Sequence, residues 1–146
     1  MKFHLAILAV LATAAAPAFA AGDAAKGEAV FKQCQTCHMV ADPTGKVIAG
    51  KGAKIGPNLY SIIGRPAASY PEFKYGAGIT AAGAAGLIWD EEKIATYLMD
   101  PTKYLDEFTG DPTLKSKMAF KLKKAEDGAN VAAYLASLSP ATPPAN

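Results

Sequence analysis

The chain has 146 residues, with 15 basic and 13 acidic side chains, a formal charge of +2, and 51% hydrophobic residues. That length fits one small globular domain with its own core. The near balance of charge, together with the lack of any recognition motif, excludes nucleic acid as a partner.

Part of the hydrophobic content sits at the start. Lys2 precedes an apolar run over residues 3–11, broken only by His4, and Ala-rich sequence then leads to Ala18-Phe19-Ala20. A positive start, a short apolar stretch and an A-x-A site describe a secretory signal peptide over residues 1–20, cleaved after Ala20 or, as second choice, after Ala21. An uncleaved anchor is the alternative, but the run is short for a membrane span. Loss of Lys2 lowers the basic count from 15 to 14, so the exported chain is near +1.

The first helix of the exported chain is expected to begin after Asp23, a good N-cap. Phe31 should face inward. Gly27 in mid-helix costs stability relative to alanine, which points to the close approach of another helix. This helix leads into Cys34-Gln35-Thr36-Cys37-His38. Two cysteines separated by two residues, with histidine directly after, form the attachment signature of c-type haem. On one helical turn both thiols can add to haem vinyl groups, and the next residue brings an imidazole to the iron. A dithiol used in thiol–disulfide exchange is the rival, but it expects a βαβ context and leaves His38 without a role. A structural zinc site needs four ligands, whereas Cys34, Cys37 and His38 are the only Cys or His residues left after export.

Residues 39–54 carry loop signals in Asp42-Pro43, Gly45, Gly50 and Gly52. Gly56-Pro57-Asn58 then gives a fixed turn. Pro57 is either a plain turn residue or, through its carbonyl, the acceptor for the second ring N–H of His38. Residues 70–85 are Gly- and Ala-rich and mostly irregular, with one short helix expected over 80–85. Trp89-Asp90-Glu91-Glu92 is a helix start: Asp90 caps, the glutamates suit the positive end, and Trp89 can staple onto Ile94. Ile94, Tyr97 and Leu98 share one face, with Tyr97 read as core carrying its hydroxyl at the rim. Asp100-Pro101 ends this helix. Residues 109–112 form a turn, and residues 117–120 are irregular. A last helix spans 125–138 with an apolar stripe of Val131, Tyr134, Leu135 and Leu138. No strand alternation is seen. Residues 140–146 form a Pro-rich tail expected to be disordered.

With His38 alone after export, the sixth iron ligand is methionine, lysine or water. Met39 adjoins His38 and cannot cross to the opposite haem face. Met99 lies off the Ile94/Tyr97/Leu98 face and reads as peripheral packing. Met118, in a loop far along the chain, is the best candidate. Around it, residues 112–124 hold Lys115, Lys117, Lys121, Lys123 and Lys124 with no acid. Lys46, Lys51 and Lys54 form a second acid-free group. Each group is a solvated face or a patch that steers an acidic partner.

The chain resembles the class I cytochromes c, and among them the larger cytochromes c2 of photosynthetic bacteria. The motifs that carry this resemblance are Gly27…Phe31, Cys34-Gln35-Thr36-Cys37-His38, Gly56-Pro57-Asn58-Leu59, Gly64-Arg65, Trp89, Tyr97-Leu98…Asp100-Pro101…Lys103-Tyr104, Lys117-Met118-Ala119-Phe120 and Ala133-Tyr134-Leu135. The resemblance implies an all-α fold over residues 21–139, with helices and long loops wrapped around one covalently attached haem. It implies one haem c on Cys34 and Cys37, axial ligands His38 and Met118, and the Pro57 carbonyl as acceptor from His38. Tyr97 would hydrogen-bond near the Met118 sulfur. Tyr75 and Trp89 would approach a haem propionate, with Arg65 close by. Gly27 and Phe31 would pack on Tyr134 and Leu135 where the terminal helices cross.

The implied function is that of a monomeric periplasmic one-electron carrier, not an enzyme, making transient contact at the membrane surface. Its partners would be a cytochrome bc complex as donor and a photosynthetic reaction centre or terminal cytochrome oxidase as acceptor. An exported dithiol oxidoreductase and a haem enzyme with an open sixth site are the rivals. The chain departs from the mitochondrial type in longer loops over 39–55 and 105–117, in Ser116 where that type has threonine, and in Gly76-Ala77-Gly78.

Overall fold

The computed structural model describes residues 21–71, 73–138 and 140. The expected signal peptide, and the tail beyond Pro140, lie outside the described residues. Five helices follow in order: α1 (Ala24–Phe31), α2 (Ala77–Ala84), α3 (Glu91–Met99), α4 (Pro101–Thr109) and α5 (Ala125–Leu138). A two-stranded antiparallel hairpin, β1 (Val40–Ala41) and β2 (Val47–Ala49), joins them, with Val40 opposite Ala49, Ala41 opposite Val47 and an irregularity between these pairs.

α1 and α5 cross, and the crossing explains Gly27. A β-carbon at Gly27 would stand 1.9 Å from the Asn130 carbonyl oxygen and 2.8 Å from Tyr134 Cβ. The two backbones approach so closely that only hydrogen fits. The Phe31 ring, wholly buried, packs 5.4 Å from the Tyr134 ring. Burying a side chain of this size contributes about 1.5–3 kcal/mol. Asp23 caps α1 by accepting from Ala25 N and Lys26 N, and its own N–H donates to Asn130 Oδ1 at 2.7 Å. α3 also packs on α5, where a β-carbon on Gly128 would meet the Ala95 carbonyl oxygen at 2.8 Å.

Three local features differ from the sequence reading. The hairpin replaces part of the expected 39–54 loop. Asp42 Oδ1 accepts from Thr44 N and Lys46 N to make its turn, Gly45 takes φ +86°, and the Asn58 amide grips Ala41 at both its N–H (2.9 Å) and its carbonyl (2.7 Å). α2 begins at Ala77, three residues before the expected start, after Gly76 in extended conformation. α4 was not expected at all. Asp100 does end α3, but the same residue opens α4: Oδ1 accepts from Lys103 N, and Pro101 sits in the first turn, where a missing N–H costs nothing.

Residues 64–67 run antiparallel to 87–89. Gly64 N donates to Trp89 O at 2.7 Å, Trp89 N to Arg65 O at 3.0 Å, and Ala67 N to Leu87 O at 2.8 Å. This pairing sets Arg65 beside Trp89 and delivers Trp89 to the core that Ile94, Leu98, Leu105 and Leu135 also fill.

Candidate haem site

Cys34, Cys37 and His38 follow α1 in a tight turn, with His38 N and Cys37 N both donating to Cys34 O. Both thiols are free. Burial, and then the neighbouring Cys37, push the Cys34 thiol up to about 11. The His38 ring lies against Gly56, where a β-carbon would stand 2.3 Å from Cε1. His38 Nδ1 is 2.9 Å from the Pro57 carbonyl oxygen, an acceptor only, so Nδ1 carries the proton. Burial lowers the imidazole pKa more than the Pro57 contact raises it, which keeps the ring neutral. The turn at residues 56–57 therefore both makes room for the ring and orients it, and Nε2 is left to ligate.

Met118 is half-buried against the core, as are Cys34, Leu59, Ile63 and Ile79. Its N–H donates to Ser116 Oγ at 3.0 Å, and the same Oγ is 3.1 Å from the Tyr97 hydroxyl. Tyr97 thus reaches the Met118 segment through Ser116. Met99 lines a separate surface cavity of about 190 Å³ with Thr96, Asp100, Lys103, Tyr104 and Glu107. A second cavity, about 490 Å³, lies elsewhere again, between the hairpin and Asn58, Tyr60 and Tyr70.

Arg65 sends its guanidinium to two carbonyls, Tyr60 O at 3.0 Å and Asn58 O at 2.8 Å, and stands 5.5 Å over the Tyr70 ring. The Tyr75 hydroxyl accepts from Tyr70 N at 3.2 Å, leaving its own proton to donate. The Trp89 indole packs edge-on to Tyr97 at 5.1 Å and stacks on Tyr104 at 6.1 Å. The indole N–H, the Tyr75 hydroxyl and the remaining Arg65 N–H groups are donors suited to a carboxylate.

These residues fit a haem c: two unpaired thiols at the attachment spacing, an oriented neutral imidazole seated on a glycine, a thioether, and donors for propionates. No group of three or more His, Cys, Asp or Glu able to hold a bare metal ion occurs among the described residues. The sequence reading missed Ser116 and Asp100 as supports of the Met118 segment. Asp100-Pro101 did carry a signal, since Asp before Pro is an N-cap followed by a first-turn proline.

No family model matches the chain. Cytochrome c2 of Cereibacter sphaeroides is 53% identical over 138 residues, covering 92% of this chain and 95% of that protein. Cytochrome c2 of Rhodobacter capsulatus is 55% identical over 139 residues, covering 94% and 98%. Among solved structures, cytochrome c2 from Rhodobacter sphaeroides superposes with a TM-score of 0.80 at 51% identity, covering 84% of this chain and 99% of that one. Ferric cytochrome c-550 from Paracoccus versutus gives 0.76 at 47% identity, covering 82% and 99%. With the helical architecture and the site geometry in agreement, the chain belongs to the cytochrome c2 family of class I cytochromes c.

Proposed function

We propose that this cytochrome is an exported, periplasmic one-electron carrier in which Cys34 and Cys37 hold one haem c and His38 and Met118 ligate its iron. The haem supplies an iron that cycles between ferrous and ferric states. His38 brings a neutral nitrogen whose direction is fixed from behind by the Pro57 carbonyl, and this 2.9 Å contact is the observation that carries the proposal. Met118 would supply a thioether ligand, which would favour the ferrous state and so raise the reduction potential. Arg65, Tyr75 and Trp89 offer donors to the propionates. The domain is residues 21–139, the leader 1–20 is removed, and the chain works as a monomer. Electrons arrive from a cytochrome bc complex and leave to a photosynthetic reaction centre or terminal oxidase, in transient encounters at the membrane surface.

The rival dithiol chemistry needs a thiol that ionises easily, and burial moves Cys34 the opposite way. A visible spectrum tests the proposal. Sharp reduced-state bands that survive acid–acetone extraction are expected, with no carbon monoxide binding at neutral pH. Extractable colour would overturn covalent attachment, and carbon monoxide binding would overturn Met118 ligation. Cys34→Ala with Cys37→Ala should leave neither covalent haem nor a stable fold, because the group fills the core of a small domain.

A further inference from the structure

The segment over residues 116–122 carries Met118, and four of its ties converge on one place. Ser116 N donates to Thr102 Oγ1 at 3.2 Å. Ser116 Oγ contacts the Tyr97 hydroxyl. Leu122 N donates to Leu98 O at 2.8 Å. Lys121 Nζ donates to Asp100 Oδ2 at 2.6 Å. All four partners lie within residues 97–102, the joint where α3 stops and α4 starts. Asp100 is the centre of that joint. Its Oδ1 caps α4 through Lys103 N at 3.1 Å while its Oδ2 holds Lys121.

We propose that Asp100 is a positioning residue for Met118: one carboxylate caps α4 and clamps Lys121, so the rigid joint holds the ligand-bearing segment in place. The inference rests on Met118 as the sixth ligand. An exposed ion pair between two free side chains contributes little, because both must be ordered to meet. Asp100 is ordered already by the cap, so only Lys121 has to be fixed. The charged pair also shortens and strengthens the hydrogen bond. Lys121 first, and then the Lys103 N–H, hold the Asp100 carboxyl below its ordinary range, so the carboxylate is ionised at neutral pH.

Asp100→Asn separates the two roles, because asparagine caps a helix as well as aspartate does but cannot pair with Lys121 as an ion. The readout is the rate at which added imidazole displaces the sixth ligand in the ferric haem-loaded protein. Entry of imidazole requires the Met118 segment to open. Asp100→Asn and Lys121→Gln should each speed binding about fivefold. The double variant should gain little more than either alone. Lys121→Arg should restore the slow rate, and Lys123→Gln should leave it unchanged. Gly27→Ala, which strains the distant α1/α5 crossing, should lower the melting temperature without speeding imidazole entry.

Unchanged rates in Asp100→Asn, fully multiplying effects in the double variant, or an equal acceleration in Gly27→Ala would each overturn the proposal. Failure of the ligand assignment looks different. Met118→Ala would then show the same sulfur-to-iron absorption, present or absent, as the wild-type ferric protein, and would bind imidazole no faster than wild type.

Discussion

The Tyr97 hydroxyl and Ser116 Oγ lie 3.1 Å apart, and that one Ser116 oxygen also accepts the Met118 N–H at 3.0 Å. A side chain on α3 therefore fixes the backbone of the candidate ligand through a single hydroxyl. Burial raises the Tyr97 pKa, and the Ser116 bond opposes that rise, so the hydroxyl stays protonated and able to donate.

Ser116→Ala removes both bonds at once. Each is worth about 0.5–1.5 kcal/mol. The expected outcome is a loss of about 1–3 kcal/mol in denaturant unfolding and a weaker sulfur-to-iron absorption in the ferric state. Tyr97→Phe should lose less, because the Met118 bond to Ser116 survives. Ser116→Thr should retain both bonds. A Ser116→Ala protein with wild-type stability and absorption would show that the hydroxyl is incidental.

Met118→Ala should abolish that absorption and lower the reduction potential, since the thioether no longer favours ferrous iron. Met99→Ala should do neither, because Met99 faces the cavity beside Asp100 and Tyr104. A redox titration of both variants checks the assignment, and the opposite pattern would move the ligand to Met99.

What the sequence made legible follows from the range of the interactions involved. α1, α3 and α5 were readable because each has a local signature: Asp23 and Asp90 as caps, Glu91 and Glu92 in a first turn, the apolar stripe on α5. The attachment cysteines and His38 were readable because the chemistry demands adjacency in the chain. α4 is hidden in the sequence because Asp100-Pro101 reads as a stop, although the same pair starts the next helix. The hairpin was hidden because its strands are two and three residues long, too short for alternation, and what holds them is the Asn58 amide 17 residues away. Asp100 and Ser116 act on the Met118 segment across contacts 19–21 residues long, which no periodicity reports.

The α1/α5 crossing gives a stability test. Gly27→Ala adds a β-carbon 1.9 Å from a backbone oxygen that has no flexible end to swing away, so the helices must separate. Overpacking of this kind costs about 1–3 kcal/mol, which exceeds the gain alanine brings to a helix interior. Thermal unfolding of the haem-loaded variant should show a clearly lower midpoint. A raised midpoint would mean that helix propensity outweighs the clash.

The lysines around Met118 are the last case, and the structure divides them. Lys121 is paired with Asp100, and Lys115 stands 3.9 Å from Asp106, so part of the basic run is already neutralised. Lys117, Lys123 and Lys124 pair with no acid among the described residues. Lys117 adjoins Met118 and sends its ammonium to the Lys74 carbonyl at 3.2 Å, which leaves its charge uncompensated. Lys26 and Lys93 are instead spent on Glu126 and Asp90. Long-range attraction speeds encounter without a large sticky interface, which suits a carrier that must also leave. Reaction with an acidic membrane partner should slow as salt rises, because the Debye length falls from about 10 Å at 0.1 M to about 3 Å at 1 M. Lys117→Glu should slow it more than Lys26→Glu or Lys93→Glu, and Lys123→Glu should follow Lys117→Glu. Lys121→Glu is a poorer probe, since it also sets a second carboxylate against Asp100. Second-order rates measured across a salt series decide the matter: equal slowing at Lys117, Lys26 and Lys93 would mean that only net charge counts and that the run beside Met118 is a solvated face.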